Sequence, residues 1–325
     1  MKKVVLAVWL FACFVSVTRA DSLANLSVAR PDAVSGAPMV VHPFVNVKAI
    51  QATGTKIFVS DAADNVVDIY NTSGKQLGQI TGFSEPQGLA ADAKGNLYVA
   101  DTANSRIQVY APPYTKSPKT LSDPGQYPVD VSVLNNGEFV AVANIISTSG
   151  GPGNVILYKN GKAVKTISNS SFARVYFNGF DAKGNLYVDG ENSAGATAVG
   201  EIAKLTTSGK TIRTLTYNGT IGFPGGVVVT SATKIAIADQ EAAAIYTYDP
   251  PKNGSLGNPI HTTPLTGSGD AAAFAFTQDD KDLWTSDAAN VALAEFAYPA
   301  GGGPVETFPV TGEPIGIALV PPQVP

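Results

Sequence analysis

Residues 86–110 read PQGLAADAKGNLYVADTANSRIQVY. A short apolar run, 88–91, ends in Asp92 and the turn formers Ala93-Lys94-Gly95-Asn96. A second apolar run, 97–100, ends at Asp101, and the polar turn 102–105 leads into a third run that closes on Tyr110. Strand-forming residues bounded by Gly, Asn and Asp predict antiparallel hairpins, not helices. The octet DAKGNLYV at 92–99 returns unchanged at 181–188, so the hairpin is one copy of a repeat.

Working outward, the same order recurs: an apolar strand, a turn, a second strand ending in Asp or Asn, and a third ending in a large apolar side chain. The second strands end at Asp61, Asp101, Asn144, Asp189, Asp239 and Asp287, at spacings of 40, 43, 45, 50 and 48 residues. The third strands end at Tyr70, Tyr110, Tyr158, Leu205, Tyr248 and Phe296. Short fourth strands are predicted at 76–80, 119–121, 164–167, 211–215, 260–265 and 305–308. Four strands at this period describe a propeller blade, and the predicted fold is all-β, a six-bladed β-propeller of four-stranded antiparallel blades. Ring closure removes the exposed sheet edges of an open array. Stacked blades bury both faces of each sheet, which explains an apolar run without alternation such as Leu97-Tyr98-Val99-Ala100.

Seven segments qualify as first strands: 47–51, 88–91, 129–133, 177–181, 226–229, 271–276 and 315–319. The seventh has no second strand after it. It is expected to help close the ring by pairing with N-terminal chain near 39–47.

The predicted organisation is a signal peptide at 1–20, a linker and closing strand at 21–45, the propeller at 46–320 and a tail at 321–325. Lys2-Lys3, the apolar core 4–17 and Thr18-Arg19-Ala20 have the order of a secretory leader, too short to span a bilayer comfortably. The expected location is secreted or periplasmic, with no transmembrane span in the mature form. The alternative is a lipid anchor at Cys13, since Leu10-Phe11-Ala12-Cys13 resembles a lipoprotein signal with a bulky Phe11. Cys13 is the only cysteine, so the processed chain has no disulfide or thiolate chemistry. Net charge is −4, and −7 without Lys2, Lys3 and Arg19 (19 basic against 26 acidic residues). That balance argues against nucleic acid as a partner.

The segment GLAADAKGNLYVADTANSRIQVY resembles an NHL-type repeat, and the six-blade reading resembles secreted bacterial NHL propellers. The match is strong at 86–110, good at 57–70 and 181–188, and degenerate in the last two blades. The resemblance implies a propeller, and no single function, because such propellers include lyases, lactonases, receptor ectodomains and RNA binders.

The ring of Asp and Asn terminators is the most regular polar feature. A crown of carboxylates around a channel is one reading; side chains that accept backbone N–H bonds in tight turns is the other. Repetition in every blade favours the structural role. Asymmetry is the better sign of a site, and blades three and four carry the longest connections after the terminator, through 145–153 and 190–195. With the loops leading into neighbouring blades, which add Phe172, Tyr176 and Phe223, they form a lip of polar and aromatic residues on one face. The candidate ligand-binding residues are Tyr127, Asn144, Arg174, Asp189, Glu191, Asn192 and Asp239. Arg174, Tyr127, Glu191 and Asn192 are expected to lie exposed on one face, with alanine at Glu191 and Asn192 nearly neutral for folding.

Enzyme signatures are thin. His42 and His261 are the only histidines, and neither ends a second strand, against a His-ligated zinc or copper site. Six-bladed lactonases of the gluconolactonase type hold a divalent ion with Glu, Asn and Asp from different blades. By that resemblance Asn144, Asp189, Glu191 and Asp239 would hold a hard cation such as calcium. The reading taken forward is a monomeric binding module for a protein, glycan or small molecule, with no cofactor. The alternative is a metal-dependent lactone or ester hydrolase.

Overall fold

The computed structural model describes residues 54–134 and 136–321. They form six antiparallel sheets arranged as the blades of a propeller. Blade two, inner strand to outer, is Pro86–Ala91, Leu97–Asp101, Arg106–Tyr110 and Lys119–Ser122. Blade three is Gln126–Leu134, Phe139–Ser147, Asn154–Lys159 and Lys162–Ile167. Blade four is Arg174–Phe180, Leu186–Glu191, Thr197–Ile202 and Arg213–Tyr217. Blade five is Pro224–Val229, Ile235–Asp239, Ala244–Tyr248 and His261–Pro264. Blade six is Ala271–Phe276, Asp282–Asp287, Ala292–Ala297 and Glu306–Pro309. The six terminators fall in six different sheets.

The repeated octet makes the same turn twice. Asp92 Oδ1 accepts the N–H groups of Lys94 and Asn96, both at 2.9 Å, while Asn96 Nδ2 donates to Asp92 Oδ2 at 2.7 Å. Asp181 repeats all three bonds with Lys183 and Asn185 at 2.8, 2.9 and 2.6 Å. Gly95 and Gly184 take the left-handed position, with φ of 77° and 80°. Blade five reaches the same geometry with different residues. Thr230 Oγ1 accepts Lys234 N–H at 3.1 Å, and Thr233 takes the left-handed position at φ 62°.

Blade one joins the last described strand to the first. Its inner strand is the C-terminal Pro314–Val320, followed outward by Lys56–Asp61, Val66–Asn71 and Gln76–Ile80. The expected partner near 39–47 lies outside the described residues; Pro314–Val320 pairs with Lys56–Asp61, with Phe58 opposite Ala318 and Val59 opposite Ile317. The physical reason is in its own sequence. Pro314-Ile315-Gly316-Ile317-Ala318 repeats the Pro-x-Gly-apolar-Ala of Pro86-Gln87-Gly88-Leu89-Ala90, so it has the form of an ordinary inner strand. Gly316 also lets the backbones of blades one and two approach, since a Cβ there would lie 2.3 Å from the Gln87 carbonyl oxygen. Ser60 Oγ accepts Gly316 N–H at 2.7 Å and Ser286 donates to the Ile315 carbonyl at 2.6 Å, so blades one and six both hold the strand. The expected leader, the Cys13 anchor, the linker, the 47–51 strand and His42 lie outside the described residues.

The core lies between blades. Phe58, Val67 and Ile69 of blade one pack with Leu97, Val99 and Tyr110 of blade two. Trp284 of blade six meets Phe308 at 5.6 Å between ring centres, and Phe308 meets Tyr70 of blade one at the same distance. Second strands are covered on both faces, so every residue of Lys56–Asp61, Leu97–Asp101 and Ile235–Asp239 is buried.

A fifth strand departs from the predicted pattern. Ser255–Gly257, from the connection between the third and fourth strands of blade five, pairs in parallel with the outer strand of blade four. Gly257 and the residues before it therefore strap two blades together.

Candidate functional site

Four terminator carboxylates hold turns. Asp61 Oδ1 accepts Asp64 and Glu313 N–H, each at 3.0 Å. Asp101 accepts Ser84 N–H at 2.7 Å and pairs with Arg106 at 2.6 Å. Asp239 accepts the N–H groups of Gly222, Phe223, Glu241 and Ala242 at 2.9–3.3 Å. Asp287 accepts those of Gly269, Asp270 and Asn290 at 2.9–3.2 Å. Each carboxylate ties the turn leaving its strand to the chain entering the same blade. That is a structural role, repeated in blades one, two, five and six.

Blades three and four break the pattern. Their second strands run past the terminators, to Ser147 and Glu191, and turn back as hairpins. The segments expected as long loops thus begin as strand and continue as turns between paired strands: Asn144 pairs with Asn154, and Glu191 with Thr197. The predicted third-strand end Leu205 is corrected to Ile202, and Leu205 is buried in the following turn. Asn144 and Asp189 are fully buried. Asn144 donates to Asn154 Oδ1 at 3.1 Å, and Asp189 Oδ1 accepts Phe177 N–H at 3.0 Å. One oxygen of each side chain, Asn144 Oδ1 and Asp189 Oδ2, has no hydrogen-bond partner.

The two hairpins are joined at Ala173. Its carbonyl accepts Gly153 N–H of blade three at 3.0 Å, and its N–H donates to the Glu191 carbonyl at 2.8 Å. Beside it, Arg174 pairs with Glu191 Oε2 at 2.7 Å, and Tyr176 donates its hydroxyl to the same oxygen at 2.9 Å. The Tyr176 ring lies 5.7 Å from Phe223, which leads into blade five. Burial, then the Glu191 carboxylate, holds the Tyr176 phenol above its ordinary pKa.

Exposure was expected for Arg174, Tyr127, Glu191 and Asn192, and the structure alters that picture. Glu191 is 8% exposed and Arg174 half-buried, because each neutralises the other. Alanine at Glu191 therefore leaves a half-buried guanidinium without its carboxylate and is not neutral for folding. Asn192 is half-buried, and its Oδ1 accepts Ala194 and Ala196 N–H at 2.8 and 3.1 Å, which sets the hairpin turn. Tyr127 is half-buried on the inner strand of blade three. Among the described residues no three His, Cys, Asp or Glu side chains converge to hold a metal ion.

Three further buried acids escaped the sequence reading. Asp130, on the inner strand of blade three, accepts Asn178 N–H at 2.8 Å from blade four. Burial raises its pKa to about 8. Burial, and then Asp287, raises Asp270 to about 7; neither of its oxygens has a partner. Burial raises Asp123 to about 6 despite the Tyr158 hydroxyl it accepts. The available signal for Asp130 was an acid inside the apolar run Val129-Asp130-Val131.

These shifts set a pH dependence. An acid whose folded pKa is raised keeps its proton in the folded chain and gives it up in the unfolded one. Between 3.8, the ordinary value, and about 8, the folded state therefore binds more protons at Asp130, and stability falls as pH rises. The melting midpoint is expected to decline from pH 5 to pH 8, and more gently in Asp130→Asn, which keeps an acceptor for Asn178. Parallel midpoint–pH curves for the two proteins would contradict this assignment.

With the geometry established, the relatives can be placed. Residues 83–110 match the family profile of the NHL repeat. The matched stretch covers the three inner strands of blade two and contains the first copy of the shared octet. No curated protein matches the sequence. Solved structures share the fold at low identity. A chain of a nidogen–laminin complex is 15% identical, covers 83% of this chain and 100% of its own length, and superposes with a TM-score of 0.66. A protein of unknown function from Bacteroides caccae is 14% identical over 82% of this chain and 99% of its own, with a TM-score of 0.63. A chain of hydrazine synthase from Kuenenia stuttgartiensis is 13% identical over 82% and 87%, with a TM-score of 0.59. Such likeness is of fold, and one fold carries binding partners and enzymes alike.

Proposed function

We propose that the protein is an exported binding module that recognises a partner protein through the hairpins of blades three and four. The observation that carries this reading is the break in sixfold regularity. Four terminators hold turns by the same device, while two adjacent second strands extend beyond the ring and are braced through Ala173. Their tips, Thr148-Ser149-Gly150 and Ser193-Ala194-Gly195, are exposed. Small polar residues on a rigid support give adaptable hydrogen bonding at low ordering cost, as in antibody loops. The Arg174–Glu191–Tyr176 network stiffens the base of that surface. The leader-like order of residues 1–20 supports export; among the described residues no helix is long and apolar enough to cross a membrane.

The test compares partner capture by wild type, by Ser149→Arg with Ser193→Arg, and by Lys94→Glu with Lys183→Glu. The last pair lies on turns between inner and second strands, at the opposite end of the blades. Both doubles alter exposed positions, so folding should change by roughly 0.5 kcal/mol or less. A partner is expected to be lost at least about tenfold from the tip variant and retained by the control, a difference of about 1.4 kcal/mol. Equal capture by the tip variant would remove the hairpins from the binding surface.

A further inference from the structure

The connection 249–260 of blade five is held against its neighbour. Thr216 N–H donates to the Gly254 carbonyl at 3.0 Å and Asn218 N–H to the Gly257 carbonyl at 2.9 Å. The turn at its tip uses left-handed Asn253 and Gly254, φ 53° and 85°, and Ser255 Oγ donates to the Thr216 carbonyl at 3.2 Å. The strap stands off the third strand of blade five, Ala244–Tyr248, and leaves a pocket of about 200 Å³ between them. Tyr246, Tyr248, Asn218, Thr220, Asn258 and Pro259 line it.

Three properties of the pocket restrict what fits. Its volume is below the roughly 300–1,000 Å³ of sites for drug-sized molecules, so the occupant is a single small ring. No lining residue carries a charge, so an ionic ligand would be desolvated without a counter-ion. Asn218 Nδ2 donates to Asn258 Oδ1 at 2.8 Å, and this bond orients both amides. It leaves the Asn218 oxygen and the Asn258 amide group open, an acceptor and a donor side by side on exposed residues. Tyr246 is half-buried and Tyr248 buried, so the wall is an aromatic body with phenol groups. A ring with one C–H face to lie on tyrosine and neighbouring hydroxyls that both donate and accept matches all three.

We propose that this pocket is a binding site for one neutral hexopyranose residue, free or at the end of a glycan. Tyr246 supplies the stacking face, and Asn218 with Asn258 and Thr220 supply the hydrogen bonds to vicinal hydroxyls. The strap is what makes the site. Without Ser255–Gly257 bound to blade four, Asn258 and Pro259 would have no fixed place opposite Tyr246. The site is separate from the hairpins of blades three and four, so it stands or falls independently of them.

The experiment titrates the full chain with the methyl glycosides of glucose, galactose, mannose and N-acetylglucosamine, read by saturation-transfer NMR, with adenosine and uridine as planar neutral rings. At least one glycoside is expected to saturate with a Kd on the order of 1 mM, a magnitude suited to a single small ring. Tyr246→Ala should weaken it at least about tenfold, and Tyr246→Phe only a few-fold because the stacking face remains. Asn258→Ala, at an exposed strap position, should weaken it by about tenfold, and it carries the test if Tyr246→Ala melts early. The proposal is overturned if no glycoside saturates the protein or if only the nucleosides do. It is also overturned if a glycoside binds Asn258→Ala and Tyr246→Phe as well as wild type and Tyr246→Ala, where folded, no worse.

Discussion

A chain that stops before Pro314 is expected to lose its cooperative melt. The deletion removes the inner strand of blade one and with it the buried side chains of Ile315, Ile317, Ala318 and Val320. At roughly 1.5–3 kcal/mol for a fully buried aliphatic side chain, their loss is comparable to the whole 5–15 kcal/mol of a typical domain. The damage also falls on both neighbours. Ser286 of blade six loses its carbonyl partner, and the Lys56–Asp61 strand becomes a bare edge, open to pairing with another chain. Calorimetry should show no sharp transition, and size-exclusion chromatography should show association. A synthetic peptide spanning 311–325, added in trans, should restore part of the transition by supplying the strand. If the truncated chain melts cooperatively within a few degrees of full length, ring closure through Pro314–Val320 does not hold the fold.

The blade count was readable because the same physical need recurs in each blade and leaves the same residue behind. Asp92 and Asp181 make one turn with one set of bonds, so their octets stay identical. Blade five shows the limit of that logic. Thr230 replaces Asp and Thr233 replaces Gly while the turn survives, so the pattern fades although the structure does not. The closing strand is legible as a strand, but its pairing with Lys56–Asp61 is not, because local sequence carries no sign that the first and last segments share a sheet. The strap Ser255–Gly257 was unreadable for a related reason: a parallel pairing across blades leaves no local alternation to detect.

The candidate site was legible as asymmetry more than as chemistry. Extra length after Asn144 and Asp189 marked the two blades whose second strands run past their terminators. The roles of the residues were harder to read, since Asp239 and Asn192 look like ligands in sequence and make turns in three dimensions. Glu191 opens the polar run Glu191-Asn192-Ser193 and reads as a surface residue. Its partner, Arg174, lies on the facing inner strand, and only the pairing of the two strands reveals that they neutralise each other.

Gly190→Ala is the single substitution expected to disturb that arrangement most. Gly190 pairs with Val175 in the ladder, where the inner strand of blade four shifts register between Val175 and Asn178. A Cβ at 190 would lie 2.0 Å from the Arg174 carbonyl oxygen, 2.9 Å from its carbon and 3.0 Å from Val175 Cα. All three are backbone atoms, so no side-chain rotation relieves the contact and the inner strand itself must move. That strand positions Arg174 on Glu191 and Tyr176 under Phe223, and it carries the Phe177 N–H that Asp189 accepts. Overpacking a tight interior costs about 1–3 kcal/mol and more when the backbone is displaced. At about 2–4 °C per kcal/mol for a domain of this size, the midpoint should fall by about 6–12 °C for a loss near 3 kcal/mol. Gly195→Ala is the control. It lies at the tip of the same hairpin, with φ 78° and open space around it, so its cost is conformational and near 1 kcal/mol. Partner capture should fall with Gly190→Ala, since it shifts the base of the hairpin. Equal midpoints for the two variants would show that blade four tolerates the added methyl, and that the close approach of its first two strands is not what fixes the Arg174–Glu191 pair.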